Sequence, residues 1–276
     1  MSDWEVLQAS ARGSVHVRDG TPPQDAVAWW PGPDAGAGDG WVHRAAEVVV
    51  AVSDGVGSRD CFRSDRGSYL AAMLACAMGA DLLRTGVPAD ELAGRLMADV
   101  AARWRTAVQG DLAEQPVTAD ERAGVSAGWS DGDPVLAYAA TLLVAVATPT
   151  ALALVQLGDG DVLLVDDGGR VGCPMPADPS SVAGSTSSLA RADAAAVART
   201  ALVDAGAVAA ALLATDGYGN AFADPDWQGE VGRDVCEQLV HDGPTAVRER
   251  LDSWVGDAAA VGGDDATLAI LWRAEM

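Results

Sequence analysis

Short apolar segments bounded by acidic residues and glycines dominate this chain and predict a protein rich in β-strands. Residues 48–53 and 209–215 are apolar runs of strand length that end on Asp-Gly, whereas residues 26–30 and 266–272 are apolar runs that begin directly after an aspartate. In an antiparallel sheet, the ends of upward strands and the starts of downward strands meet at one edge. The pattern therefore predicts that four carboxylates share one site. They belong to Asp25, Asp54, Asp216 and Asp264.

Longer segments with apolar residues at helical spacing separate these strands. Residues 64–85 and 88–108 predict two consecutive helices, and residues 228–256 predict another. Residues 6–18 predict an opening strand, and residues 135–172 predict further strands and hairpins. With no internal repeat and no clear linker, this order favours one domain, residues 1–276, built from layers of sheet and helix.

The carboxylates themselves suggest a chemistry. Several ionised carboxylates in one place repel each other unless a cation neutralises them. Ligand sets made only of oxygen favour hard divalent ions such as Mg²⁺ or Mn²⁺. The positions of the aspartates beside the apolar runs therefore predict a metal site at the shared edge.

Charge and composition narrow the classes of partner. The formal net charge of −22 disfavours nucleic acid and anionic membranes as partners, because both are bound through Lys and Arg. The chain has no lysine, and all 18 basic residues are arginines. Lysine-based phosphate loops and Schiff-base chemistry are thereby excluded. Any phosphate must instead be bound by arginine, whose guanidinium can donate two parallel hydrogen bonds.

Cysteine usage and the N-terminal residues indicate a cytoplasmic location. The four cysteines are scattered, without the spacing of a zinc site or of a disulfide framework. The first 17 residues lack the apolar core of a secretion signal. Residues 135–155 are uncharged and long enough to span a bilayer. Pro149 divides them into two segments of strand length, so a hairpin is favoured over a membrane helix.

Six short motifs in a fixed order carry a resemblance to a known family. They are Gln24-Asp25-Ala26, Ser53-Asp54-Gly55-Val56-Gly57, Ala140-Thr141, Gly158-Asp159-Gly160, Ala214-Thr215-Asp216-Gly217 and Gly263-Asp264-Asp265-Ala266-Thr267. Together they resemble the metal-dependent protein serine/threonine phosphatases of type 2C, over residues 12–272. The opening Gly13-Ser14-Val15-His16, followed by residues 20–25, is similar to a bacterial sub-branch of that family.

The resemblance implies an α+β fold, a four-layer α-β-β-α sandwich in which two antiparallel sheets face each other between outer helices. It also implies a signalling enzyme that hydrolyses phosphoserine or phosphothreonine on a phosphoprotein substrate, itself phosphorylated by a Ser/Thr kinase. The attacking group would be a hydroxide that bridges two divalent ions, Mg²⁺ or Mn²⁺. Residues 173–188 occupy the place of a variable flap beside the active site.

Carried over by position, the resemblance also assigns the site residues. The implied metal ligands are Asp25, Asp54, Gly55, Asp216 and Asp264. Asp54 would bridge the two ions, Gly55 would offer its carbonyl oxygen, and Asp25 would hold metal-bound water. Asp54 and Asp25 are therefore the catalytic candidates.

Some metal-site positions depart from the family pattern. Gln24 stands where an acidic residue is usual, and Asp265 stands where asparagine is usual. For a third ion, only Asp131 and Asp133 are near the expected position, and neither aligns with it. A third ion therefore stays open.

The residues that would bind the substrate phosphate and protonate the leaving group also depart from the family pattern. Arg18 is the first candidate for binding it and Arg12 the second, although Arg18 is further from Asp25 than the family spacing. Residues 56–57 are Val-Gly, where animal members carry a general-acid histidine. Protonation of the leaving group would then fall to water or to His16.

Two other functions are compatible with parts of the sequence. Gly124-Val125-Ser126-Ala127-Gly128 matches the G-x-S-x-G elbow of serine hydrolases, with Ser126 as nucleophile. That elbow needs a strand before the serine and a helix after it, and the polar residues on both sides predict neither. The second alternative is a catalytically weak phosphatase-like module that binds signalling proteins. The presence of all the main metal aspartates favours an active phosphatase over both.

Overall fold

Two antiparallel β-sheets form the centre of the computed structural model, which describes residues 3–32, 43–126, 133–176 and 186–274. The strands are β1 (Asp3–Ala11), β2 (Ala26–Trp30), β3 (His43–Ala45), β4 (Val48–Ser53), β5 (Leu142–Ala147), β6 (Ala151–Leu157), β7 (Asp161–Val165), β8 (Val171–Gly172), β9 (Arg199–Asp204), β10 (Ala210–Ala214) and β11 (Ala266–Ala274). One sheet has the strand order β3-β1-β11-β10-β7-β8, and the other has the order β2-β4-β5-β6-β9.

The longer helices cover the outer faces of both sheets, and short helices lie in the connections. They are α1 (Ser14–Asp19), α2 (Ser64–Arg84), α3 (Ala89–Glu114), α4 (Ala119–Gly124), α5 (Ala194–Val197), α6 (Asp216–Gly219), α7 (Trp227–Asp242) and α8 (Pro244–Gly262). Helices α2 and α3 pack on the five-stranded sheet, and α7 and α8 pack on the six-stranded sheet. The predicted four-layer α-β-β-α sandwich is confirmed.

The apolar runs of the sequence are strands that are buried on both faces. All six residues of β4 are buried, as are all six of β5. One face of β4 contributes Val50 to a core between the two sheets, where it joins residues such as Trp4 and Leu271 of the opposite sheet. The other face contributes Val49 to the core under α2 and α3. Burial on both sides explains why these strands appear as continuous hydrophobic runs.

Several predicted element boundaries were wrong. The opening strand ends at Ala11, where its partner β11 begins, and part of the predicted strand folds instead as helix α1. The single helix predicted over 228–256 is two helices, because Gly243 adopts a φ of +83° directly before Pro244. Residues 110–134, which showed no pattern, contain the end of α3 and the short α4.

The uncharged stretch 135–155 forms the antiparallel pair β5 and β6, as predicted. Thr148 and Ala151 close the turn around Pro149 through a backbone hydrogen bond of 2.8 Å. Within the described residues, no helix is long and apolar enough to cross a membrane.

Helix α2 passes a short 3-10 helix, Pro134–Tyr138, so closely that position 67 has room only for glycine. A Cβ atom at Gly67 would lie 1.8 Å from the carbonyl oxygen of Tyr138. The carbonyl oxygen of Gly67 accepts a hydrogen bond of 2.8 Å from Trp104 Nε1 of α3. By contrast, a Cβ at Gly94 of α3 would meet no heavy atom within 4 Å. These two helical glycines therefore make a matched pair.

We predict that Gly67→Ala lowers the free energy of unfolding by about 2–4 kcal/mol, because α2 must move away from the 3-10 helix. The loss occurs although alanine favours helix over glycine by about 1 kcal/mol. Gly94→Ala, the control, should raise stability by up to about 1 kcal/mol. Urea unfolding followed by circular dichroism measures both. Equal effects of the two substitutions would contradict the close approach.

Candidate metal centre

The first pair of predicted ligands comes from the five-stranded sheet. Asp25 directly precedes β2, and Asp54 directly follows β4. These strands are antiparallel neighbours in which Ala26 lies opposite Ser53. The register therefore brings the two carboxylates together at the end of the strand pair.

The second pair comes from the six-stranded sheet. Asp216 is the first residue of α6, two positions after β10, and Asp264 lies two positions before β11. Strands β10 and β11 are antiparallel neighbours with Ala214 opposite Leu268. Beyond the strand ends, the pairing continues through a 3.1 Å hydrogen bond from Thr215 N to the carbonyl oxygen of Thr267.

The two pairs lie at the same end of the sandwich. The charges of Asp25, Asp216 and Asp264 all act on the carboxyl group of Asp54, which places the four in one cluster. The prediction of a single sheet edge was wrong, because each sheet supplies one pair. The structure nevertheless brings together all four predicted aspartates.

Asp25 is held by the opposite sheet. Its Oδ2 accepts hydrogen bonds from Thr215 Oγ1 at 2.8 Å and from Thr267 Oγ1 at 2.7 Å. Its Oδ1 is buried and has no hydrogen-bond partner within the described part of the chain. Burial raises the pKa of Asp25 to about 7, against the hydrogen bonds from the two threonines. A buried oxygen that accepts no hydrogen bond is suited to bind a cation.

Burial and mutual repulsion also act on the carboxyl groups of Asp54 and Asp216. Burial, followed by the neighbouring acidic charges, raises the pKa of Asp54 well above its ordinary range. Burial raises the pKa of Asp216 to about 6, and the charges of Asp159 and Asp264 add to the shift. The folded protein therefore holds these groups in positions where the ionised form is unfavourable without a compensating positive charge.

The backbone at Asp54 and Gly55 is fixed by close contacts. Gly55 N donates a 3.0 Å hydrogen bond to the carbonyl oxygen of Gln24, and Asp54 N donates one of 3.0 Å to Thr141 Oγ1. A Cβ atom at Gly55 would lie 2.7 Å from the carbonyl oxygen of Ser64, so only glycine fits there. The side chain of Gln24, whose position is acidic in the family pattern, donates a 2.6 Å hydrogen bond to Ser64 Oγ. Its amide therefore helps to position α2.

Asp265 has a role that the sequence did not reveal. The residue is buried, and its two carboxylate oxygens accept hydrogen bonds from Gly13 N at 2.7 Å and from Gln24 N at 2.5 Å. The ring of His16 lies between the acidic neighbours, with Nδ1 3.0 Å from Asp265 and Nε2 3.5 Å from Asp264. Asp265 therefore anchors both ends of the segment that leads into Asp25.

The two candidate arginines have different surroundings. Arg12 donates hydrogen bonds to the carbonyl oxygens of His16, at 3.0 Å, and of Thr21. Arg18 is 70% exposed, and its guanidinium forms two hydrogen bonds to Asp19, at 2.7 and 3.0 Å. The segment of Arg18 is helical rather than extended, so its side chain follows α1 and pairs with the adjacent acid.

Of the two candidates for a ligand of a third ion, the structure describes only Asp133. Asp133 lies 3.7 Å from Arg105 and is exposed, which leaves it paired with a cation. Asp131 and most of the predicted flap, residues 177–185, lie outside the described residues. The third ion therefore stays open.

The serine hydrolase alternative is contradicted by the surroundings of Ser126. Helix α4, rather than a strand, precedes it. Its hydroxyl donates a 2.6 Å hydrogen bond to Asp60, and its backbone N–H donates one of 2.7 Å to the same carboxylate. A hydroxyl that donates to a carboxylate after a helix does not form a nucleophile elbow.

The donor set suits a hydrated metal ion better than one enclosed by side chains. Within the described residues, no three His, Cys, Asp or Glu side chains are arranged to enclose an ion by themselves. Mg²⁺ does not require such a cage, because it keeps several waters and binds proteins through one or two carboxylates. The orphaned oxygen of Asp25 and the raised pKa of Asp54 fit a hydrated divalent ion of this kind.

Comparison with protein families agrees with this geometry. A family model described as protein phosphatase 2C matches residues 12–256. The chain belongs to the protein phosphatase 2C family. Membership confirms the predicted class of enzyme, a metal-dependent protein serine/threonine phosphatase. A comparison with curated protein sequences gives no match.

Solved structures support the protein phosphatase 2C fold. The catalytic domain of the serine/threonine protein phosphatase PstP, in complex with two manganese ions, is 18% identical, with 100% of both chains covered and a TM-score of 0.58. A bacterial serine phosphatase is 9% identical, with 98% of both chains covered and a TM-score of 0.64. PppA of Pseudomonas aeruginosa, a regulatory component of the T6SS, is 17% identical, with 98% of both chains covered and a TM-score of 0.56. At these identities, the likeness establishes the fold.

The raised pKa values predict how the metal-free phosphatase responds to pH. Folded Asp25 and Asp216 hold their protons to about pH 7 and 6, above the ordinary value of 3.8. The folded state therefore binds more protons than the unfolded state, and its stability falls as the pH rises. In EDTA, we expect a loss that begins near pH 4 and ends near pH 6 for Asp216 and near pH 7 for Asp25, of up to about 1.4 kcal/mol per pH unit for each group.

Urea unfolding at several pH values, with Asp25→Asn beside the wild type, measures this slope. The variant lacks one titrating group and should show a shallower decline. Stability in EDTA that stays constant or rises over this range would contradict the proposed electrostatics of the cluster.

Proposed function

We propose that the chain removes phosphate from phosphoserine and phosphothreonine with the help of two divalent ions, Mg²⁺ or Mn²⁺, held by the carboxylate cluster. The observation that carries this proposal is the convergence of Asp25, Asp216 and Asp264 on Asp54 from two sheets. Uncompensated charges at a buried site are strongly unfavourable. A fold that brings together four carboxylates, three of them partly buried and Asp264 exposed at the rim, is explained by cations that bind among them.

The proposed roles follow from position. Asp54 receives the charges of the other three aspartates, which suits a ligand shared by two ions. Asp216 and Asp264 would hold one ion, and Asp25 would hold water bound to the other. The rigid backbone at Gly55 fits the use of its carbonyl oxygen as a ligand. When bound, the ions would lower the pKa of water and offset charge on the phosphoryl oxygens.

For the substrate phosphate, the contacts favour Arg12 over Arg18, the reverse of the order expected from the sequence. Arg12 adjoins Gly13, whose N–H is bound by Asp265 beside the cluster. The guanidinium of Arg18 is paired with the carboxylate of Asp19, whereas that of Arg12, among the described residues, donates only to the neutral carbonyl oxygens of His16 and Thr21. Protonation of the leaving group falls to water or to His16, the ring of which lies beside Asp264.

The biological setting is also a proposal. The substrate is a protein that a Ser/Thr kinase has phosphorylated. Residues 1–276 form one catalytic domain. A cytoplasmic location is consistent with four cysteines that are all free, three of them buried. A bacterial signalling role rests on the resemblance to a bacterial sub-branch of the family. Nucleic acid and membrane lipid are not expected as partners of a chain with a net charge of −22.

Phosphate release from a phosphothreonine peptide and from p-nitrophenyl phosphate tests the proposed reaction. We expect turnover with Mn²⁺, its loss in excess EDTA, and a loss of about a thousandfold or more in Asp54→Asn, which removes the shared charge. Asp193→Asn, an exposed aspartate paired with Arg191, is the control and should keep wild-type rates.

The same assay distinguishes the alternatives. Turnover that persists in EDTA but is lost in Ser126→Ala would support a serine hydrolase. Folded protein that binds Mn²⁺ and phosphopeptide without turnover would support the phosphatase-like module. Either result would contradict the proposed function.

A further inference from the structure

A groove of about 790 Å³ adjoins the carboxylate cluster on the side of β2 and α2. Asp25, whose buried Oδ1 has no partner within the described residues, lines the groove. Val27 and Leu70 contribute apolar surface, and the ring of Tyr69, which is 59% exposed, stands at the wall. The groove is therefore continuous with the proposed metal centre and offers an aromatic surface to a ligand.

The polar residues of this groove are predominantly acidic. Besides Asp25, its lining includes Asp65, Asp111 and Glu114. Arg66 is the single cation among the described residues that line it, and Arg66 Nη1 is already bonded to Asp111 at 3.1 Å and to Gln115 at 2.7 Å. Asp65 and Glu114 therefore leave the groove with uncompensated negative charge.

A second depression, of about 340 Å³, adjoins the cluster at Asp216, beside β7, α6 and α7 rather than beside β2 and α2. It is lined by the further acids Asp159, Asp161 and Asp224, and no described residue in its lining is a cation. A polypeptide whose phosphorylated residue reaches the metal centre would have acidic surface on both sides of that residue. Divalent ions would neutralise the central aspartates, but the outer carboxylates of both depressions would keep their charge.

We propose that the substrates of this site are phosphoproteins with basic residues on both sides of the phosphorylated serine or threonine. This proposal rests on the proposed phosphatase function and specifies its substrate class. Asp65 and Glu114 attract an arginine or lysine on one side, and Tyr69 offers its ring face to the same cation. Asp159 and Asp224 attract a basic residue on the other side. Charge complementarity of this kind selects partners and is screened by salt.

The test compares two phosphothreonine peptides, one with two arginines on each side of the phosphothreonine and one with glutamine in place of each arginine. With Mn²⁺ at low salt, we expect the wild type to show a kcat/KM about tenfold higher for the arginine peptide, because each exposed charge pair contributes a severalfold effect. The preference should shrink in about 0.5 M NaCl, where the Debye length is only a few ångströms.

The double variant Asp65→Asn/Glu114→Gln should lower the ratio of the two kcat/KM values about threefold. The matched control is Glu249→Gln/Asp257→Asn, which removes the same two residue types from the exposed surface of α8. The control should keep the wild-type ratio, which separates local recognition from the effect of net charge. A ratio near one in the wild type, or one that both variants change equally, would overturn the proposed specificity.

Turnover of p-nitrophenyl phosphate shows whether a negative result concerns only the preference for basic peptides or also the proposed phosphatase function. An enzyme that hydrolyses the aryl phosphate and both peptides equally well is a phosphatase without the proposed preference. An enzyme that hydrolyses none of the three substrates with Mn²⁺ would overturn both the phosphatase function and the substrate class.

Discussion

The main constraint on this structure is the concentration of negative charge at one end of the sandwich. The ionised forms of Asp54 and Asp25 are unfavourable there, because burial removes them from water and their neighbours carry the same charge. The apolar layers that bury the strands on both faces provide the rigid framework that holds these groups together. Divalent cations relieve the repulsion, so stability and metal binding are linked at this site.

Much of the remaining structure positions those carboxylates. Asp265 uses both of its oxygens to hold the main chain at Gly13 and Gln24, and this places Asp25 at the start of β2. Thr215 and Thr267 extend the pairing of the other sheet and bind Asp25 across the gap between the sheets. The cluster is therefore built by contacts between both sheets, rather than by one edge of one sheet.

The sequence revealed the cluster because its aspartates flank apolar runs, and this local pattern is visible in the sequence alone. It did not reveal the role of Asp265, because the partners of Asp265 are main-chain N–H groups more than 200 residues away, and such groups have no sequence signature. Which of Arg18 and Arg12 is the better candidate for binding the substrate phosphate also depended on the local fold. Arg18 lies in a helix where a strand was expected, and a helix directs side chains differently from a strand.

Anomalous diffraction at the manganese edge, from crystals soaked in Mn²⁺, tests most directly whether the four aspartates hold a pair of ions. We expect two peaks about 3.5–4 Å apart, both within ligating distance of an Asp54 oxygen, with Asp216 and Asp264 around one of them. Peaks elsewhere on the acidic surface, with none beside Asp54, would contradict it.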